Sequence, residues 1–270
     1  QSGSGRAALK TGIAGQSDTT SGWANVPSQC VTYASCHDNL CLYDKLFDSV
    51  YGNDEYRKRH EDLVSMNKLS AAIVATSQGI PFMLAGEEFA RSKDGDENSF
   101  SSSREENMID WKNVDEYSDL IEYYRGLYKI RENFAAFSDS TATTANSINS
   151  IENPPSGVTG YIVNNTEDGK WNKMCMIFNG GDDEQNVSVD GEWVILANDE
   201  TAGLRSLGKA SGSVKVAAHS AIVMVDKDGF ESAEISDDEG LVYVKYYDDK
   251  TGDLIKTQAV SGAVGSQYDI

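Results

Sequence analysis

Val31-Thr32-Tyr33-Ala34-Ser35-Cys36-His37-Asp38-Asn39 is where the chain states its architecture. A short apolar, β-branched run ends in an imidazole, a carboxylate and an amide. The run has the length of a buried strand. Side chains just past a strand's carboxyl end point into a loop-walled cleft, and (β/α)8 barrels keep their active sites on that face. A helix-like stretch follows. Then a second strand, Ile80-Pro81-Phe82-Met83-Leu84, ends in Ala85-Gly86-Glu87-Glu88. Two strand–helix units therefore run in series, each with polar groups past its strand.

Moving outward, Asn53 and Asp54 are placed to cap a helix running to about Gln78, with Leu63, Met66 and Ile73 near one face and Gly79 after its end. A second helix is expected over 114–133. Its stripe of Tyr117, Leu120, Ile121, Tyr124, Leu127 and Tyr128 reads as core packing. Between the helices lies the acidic loop Asp94-Gly95-Asp96-Glu97-Asn98-Ser99. With Glu105 it approximates a calcium loop, but Ser99 stands where such a loop needs glycine. Gly3-Ser4-Gly5-Arg6-Ala7-Ala8 fits a dinucleotide fingerprint in letters only, because no strand precedes it. His60-Glu61 opens like a zinc-protease motif, but Val64 stands where the second histidine belongs.

After Phe137 the composition changes. Residues 138–156 are rich in Ser, Thr and Asn and read as a boundary with room for a short edge strand. Short β runs then recur at 161–163, 174–178, 187–189, 193–196, 214–217 and 221–225. Turn residues such as Asn179-Gly180-Gly181-Asp182 and Asp190-Gly191 separate them. That spacing predicts an antiparallel sandwich, with His219 in a turn. An acidic linker follows, and residues 241–255 read as strand, turn and strand.

At 270 residues the chain has room for one large domain or two smaller ones, and its net charge is −20. An acidic surface disfavours nucleic acid and anionic membranes and suits a neutral partner. No apolar run reaches the roughly 18 residues of a membrane helix. Cys30, Cys36, Cys41 and Cys175 match no zinc spacing. They read as small buried thiols, with a disulfide among the first three as the alternative.

Four segments carry a family resemblance. Tyr33 to Leu40 with Leu42-Tyr43-Asp44-Lys45-Leu46 resembles the last catalytic motif of the α-amylase superfamily, in its type I pullulanase branch. Gly79-Ile80-Pro81-Phe82-Met83-Leu84-Ala85-Gly86-Glu87-Glu88-Phe89 resembles that branch's eighth-strand segment. Asp96-Glu97-Asn98-Ser99-Phe100 and Asn107-Met108-Ile109-Asp110-Trp111 continue the match in order. A lone His-Asp pair is common, whereas four segments in register are specific. The resemblance spans roughly 5–226, most clearly 28–135. Cys36 and Cys41 depart from the small or β-branched residues usual there, which touches local packing only. Residues 241–268 resemble the opening of a MucBP-type module of bacterial surface proteins.

The resemblance implies an α/β plus all-β chain. Residues 1–137 are expected to form the last two strand–helix units of a (β/α)8 TIM barrel. Residues 138–228 would form a β-sandwich, 229–240 an acidic linker, and 241–270 the start of the MucBP-like module. Asp38 matches the family's third carboxylate, a transition-state stabiliser, and His37 and Asn98 match substrate-binding positions. No cofactor or metal is implied. The nucleophile and acid/base lie on earlier strands in the family, and neither their Arg-x-Asp motif nor a matching acid motif occurs here. The expected function is debranching hydrolysis of α-1,6-glucosidic bonds in an α-glucan polysaccharide. The parent would be extracellular or cell-surface, with cell-wall or mucin contact through the last module. The chain starts without Met or an apolar signal core and is expected to begin and end inside a longer polypeptide. Two alternatives stay open: an α-1,4-acting member of the superfamily, and a non-catalytic glucan-binding or adhesion protein.

Overall fold

The computed structural model describes residues 3–18, 21–52, 55–166, 170–233 and 239–263. Helix α1 (Gly3–Ile13) precedes strand β1 (Val31–Thr32). Helices α2 (Leu42–Val50) and α3 (Glu61–Ala75) lead to strand β2 (Ile80–Pro81), which pairs with β1 in parallel, Val31 opposite Ile80. A parallel pair joined by a helical crossover is the βαβ unit expected from the sequence.

α3 buries Leu63, Val64, Asn67, Lys68, Ala71, Ala72 and Ala75 along one stripe, and Glu61 and Asp62 in its first turn complement its dipole. It ends before Gly79, whose φ of 90° suits only glycine, and a Cβ there would lie 2.8 Å from the Cys30 carbonyl oxygen. The helix starts later than the sequence implies. Residues 55–60 form a turn, in which the Arg59 guanidinium bridges Glu61 and Asp119 and fixes the entry into α3. The capping role given to Asn53 and Asp54 lies outside the described residues. The two strands also differ from expectation. Each is two residues long, and Val31, Tyr33, Ile80 and Phe82 are exposed, because the pair stands as a two-stranded sheet with one uncovered face.

Short helices α4 (Arg104–Asn107) and α5 (Asn113–Glu116) carry the chain to α6 (Ser118–Asn133), which buries Leu120, Tyr123, Tyr124, Leu127 and Ile130. The expected single helix is thus broken at Tyr117. Helix α7 (Ala142–Asn146) precedes the edge strand β3 (Asn149–Ser150).

An antiparallel sheet follows: β4 (Val158–Asn164), β5 (Lys173–Asn179), β6 (Gln185–Ala197), β7 (Gly208–Val216) and β8 (Ser220–Asp226), with β3 at one edge. Hydrogen bonding runs β3-β4-β5-β8-β6-β7. The two runs expected around Asp190-Gly191 are one strand, not a hairpin. Its register with β7 shifts between Val189 and Glu192, with Gly191 at φ 93°, so the strand bends instead of reversing. The first half of β6 pairs only with β7. The second half also pairs with β8. The bend brings Val187 and Val189 of the first half into an apolar cluster with Val158, Ile177 and Ile222, giving the sheet a second layer. His219 has φ 47° in the turn before β8, as expected.

The other face of the sheet shares one core with the helices. Tyr161, Met176 and Val223 belong to the same apolar cluster as Phe47, Leu63, Leu120 and Phe137. After α8 (Lys227–Ser232), β9 (Glu239–Tyr247) and β10 (Leu254–Ala263) form the antiparallel hairpin expected for 241–255. It docks on the body: Tyr243 Oη donates to Thr201 Oγ1 at 2.8 Å, Lys245 pairs with Glu200 at 2.5 Å, and the Ala259 amide donates to Ser118 Oγ at 2.8 Å. All four cysteines are free thiols, so the disulfide alternative is not realised.

Candidate active site

β1 and β2 end side by side, so the loops that follow them meet. Past β1, Ser35 is buried while His37 and Asp38 turn outward. His37 Nδ1 lies 3.2 Å from Asp38 Oδ1, with side chains 80% and 87% exposed. Asn39 adopts φ 66° and its side-chain oxygen accepts the Leu40 amide at 2.7 Å, which turns the chain toward α2. Lys45 Nζ on α2 donates to the Ala34 carbonyl at 3.1 Å, closing the loop on its own helix.

Past β2, Gly86 at φ 95° starts a short 3-10 turn that buries Glu87 and leaves Glu88 half-buried, accepting the Gly86 amide at 3.0 Å. The two loops are fastened together. Ser35 Oγ donates to Glu87 Oε2 at 2.6 Å. Asp44 Oδ2 accepts the amides of Lys93 at 2.8 Å and Gly95 at 3.2 Å. Burial pushes the Asp44 carboxyl above its ordinary range, against the lowering of those hydrogen bonds.

The acidic loop is held from within. Asp94 accepts a two-pronged contact from Arg57, 2.7 Å each. Asp96 accepts the Asn98 amide at 2.9 Å and the Ser102 hydroxyl, whose hydrogen bond holds its carboxyl below the usual range. Lys93 Nζ donates to Ser99 Oγ at 2.6 Å. Among the described residues no group of three or more His, Cys, Asp or Glu is gathered as a metal site. Beside this loop a cavity of about 220 Å³ is lined by Arg57, Phe89, Arg91, Met108, Asp110 and Lys112. Trp111, largely exposed, packs against Phe89 at 5.9 Å.

Of the residues singled out in the sequence, the structure joins His37 to Asp38. Asn98 is exposed on the acidic loop and makes no hydrogen bond to either. The exposed pair can donate to and accept from hydroxyl groups and presents a carboxylate to solvent. Glu87 cannot act that way, being buried and fully engaged. Sequence reading missed its partners, Asn67 and Tyr124. Both sit at core-facing helix positions, where pattern reports burial and not a polar group at the tip.

No family model matches the chain. Its residues are 36% identical over 136 positions to a pullulanase of Bacillus subtilis (strain 168), a match covering 48% of this chain and 18% of that protein. The pullulanase structure from Bacillus acidopullulyticus superposes with a TM-score of 0.74 at 28% identity, over 82% of this chain and 26% of that one. A pullulanase from Paenibacillus barengoltzii, in complex with maltohexaose and alpha-cyclodextrin, superposes with a TM-score of 0.68 at 27% identity, over 82% and 34%. The chain therefore spans about a fifth to a third of the length of these relatives. Over these spans the chain is similar to pullulanases, a likeness that supports an enzymatic origin. Its mixed α/β and antiparallel β regions are consistent with the fold of those structures.

Proposed function

We propose that this chain is the C-terminal part of a debranching glycoside hydrolase that cleaves α-1,6-glucosidic bonds in pullulan, glycogen or limit dextrins. In this reading β1 and β2 are the last two strands of a (β/α)8 barrel and the antiparallel unit is the sandwich behind it. The observation that carries it is the His37–Asp38 pair, exposed just past the carboxyl end of a parallel strand. Retaining hydrolysis needs two carboxylates about 5–5.5 Å apart flanking an oxocarbenium-like transition state. We place the nucleophile and the acid/base on strands outside this chain. Asp38 supplies a third carboxylate that hydrogen-bonds ring hydroxyls and opposes the positive charge developing on the sugar. His37 donates to the same sugar, and Asn98 lines the substrate path. The partner is an α-glucan polysaccharide. The parent is extracellular or cell-surface, a reading supported by the likeness of 241–268 to a MucBP-type module and by the hairpin found at 239–263.

The test is the product of pullulan digestion by the complete protein that carries this chain. Cleavage at α-1,6 bonds releases maltotriose. Cleavage at α-1,4 bonds releases linear trisaccharides that keep an α-1,6 bond and would move the assignment to an amylase-type relative. Binding with no product would identify the non-catalytic alternative.

A further inference from the structure

Glu87 has no ion-pair partner among the described residues, yet polar groups from three other elements converge on it. Ser35 Oγ, from the loop after β1, donates to Oε2 at 2.6 Å. The Tyr124 hydroxyl, from α6, lies 3.2 Å from Oε1. Asn67, from α3, sits 3.2 Å through Nδ2 from the Glu87 backbone oxygen, and its Oδ1 is 2.7 Å from the Tyr124 hydroxyl.

Counting protons decides the state of the carboxyl. A backbone carbonyl only accepts, so the Asn67 atom facing it is the amide nitrogen, and the atom facing Tyr124 is the amide oxygen. That oxygen also only accepts. Tyr124 has one proton, which burial holds on the hydroxyl by raising its pKa well above the usual tyrosine value. The proton goes to Asn67 Oδ1, the nearer acceptor. The tyrosine oxygen then faces Glu87 Oε1 with nothing left to donate. Two bare acceptors in a buried site repel, and the contact becomes a hydrogen bond once the carboxyl carries a proton.

We propose that Glu87 is a neutral carboxylic acid that closes a hydrogen-bonded ring, Glu87 to Tyr124 to Asn67 and back to the Glu87 carbonyl, and is thereby a positioning residue for the His37–Asp38 loop. Its remaining oxygen accepts Ser35, two residues before His37. The loop after β1 is thus tied to α3 and α6 through one side chain. The ring stands on the geometry alone, whereas its consequence for glucan hydrolysis rests on the function proposed above.

The groups around it agree. Burial is the main force raising the Glu87 pKa, and the neighbouring Glu88 carboxylate adds to it, against the lowering by the Ser35 hydroxyl and the Leu84 backbone amide. The half-buried Tyr128 is the other titratable side chain coupled to it. A folded-state pKa raised above the unfolded value means the folded chain binds the extra proton. The contribution to stability is full below the unfolded pKa and is lost as pH rises through the folded one.

The experiment uses the whole chain and needs no glucan activity, so its failure is distinguishable from failure of the functional proposal. At about pH 5.5, above the ordinary glutamate range, the infrared difference between wild type and Glu87→Gln should show a protonated-carboxyl band present only in wild type. Asp44 contributes to both spectra and cancels. Glutamine reproduces the neutral donor–acceptor pattern, so Glu87→Gln should keep the wild-type NMR signals of the His37 ring and flatten the fall of melting temperature with rising pH. Ser35→Ala, a milder lesion than Glu87→Ala, should shift the His37 signals. A spectrum without the band, or His37 signals indifferent to Ser35→Ala, would overturn the proposal.

Discussion

Arg131 on α6 shows how much structure one side chain can close. Its guanidinium donates to the carbonyls of Ala75 at 2.8 Å, Ser77 at 2.6 Å, Gly79 at 2.9 Å and Phe137 at 2.8 Å, so it caps the end of α3 and anchors the entry to β2. A buried group left without its partner costs about 1–3 kcal/mol, so Arg131→Met should lose at least about 3 kcal/mol in urea unfolding. Arg131→Lys should recover only part, because an ammonium lacks the planar fork. The thiols give a second expectation at this scale. Burial pushes Cys41 up to about 11 and Cys175 up to about 12, so neither forms thiolate near neutral pH. Alkylation of the native chain at mildly alkaline pH, read by mass spectrometry, should label the partly exposed Cys36 and spare Cys41 and Cys175. At this scale His37 and Asp38 stand out in the sequence as candidates, because three polar residues in a row after an apolar run are a local signal, and the structure leaves both side chains exposed. The Glu87 ring was not legible. Its members are Asn67, Glu87 and Tyr124, on three elements, and Tyr124 lies in a stripe whose period reports only the buried ring.

At the scale of elements, α6 and the turn at 199–203 touch backbone to side face. A Cβ on Gly126 would lie 2.0 Å from the Ala202 carbonyl oxygen. Alanine gains about 1 kcal/mol of helix propensity over glycine, but forcing volume into a packed contact costs about 1–3 kcal/mol. Here the obstacle is backbone, so the clash wins, and Gly126→Ala should lower the urea midpoint despite its better propensity. The element that misled sequence reading is β6. Asp-Gly between two β runs is a strong hairpin signal. In the fold the Trp193 indole donates to the Asp190 carbonyl at 2.8 Å and β7 stays paired across the shift, so the same dipeptide makes a bulge. The choice between turn and bulge is made by β7, about twenty residues downstream in sequence, and no local pattern carries it. The late start of α3 has a similar cause, since Arg59 reaches forward to Asp119 on α6.

At the scale of the molecule, one apolar cluster runs from α2 and α3 through α6 into β4, β5 and β8. A cut between residues 137 and 138 divides that core. We expect fragments 1–137 and 138–233 each to bind a hydrophobic dye and melt without cooperativity, while the whole chain unfolds in a single transition. A sharp, separate melt of either fragment would show that the shared core contributes less than its packing implies. Part of this level was legible: a βαβ unit, an antiparallel sheet and a terminal hairpin all follow from period and turn residues. The exposed faces of Val31, Tyr33, Ile80 and Phe82 were not, because an apolar run predicts burial without saying what covers it. The chain spans a minor part of its pullulanase relatives, so the functional claim is decided in the complete protein. The direct measurement is steady-state release of reducing ends from pullulan by that protein and its Asp38→Asn variant. Asparagine keeps the shape and removes the charge. The account predicts a loss of about 10²–10³-fold falling on kcat, with KM little changed, because the charge acts in the transition state. Near-normal kcat in Asp38→Asn would contradict it.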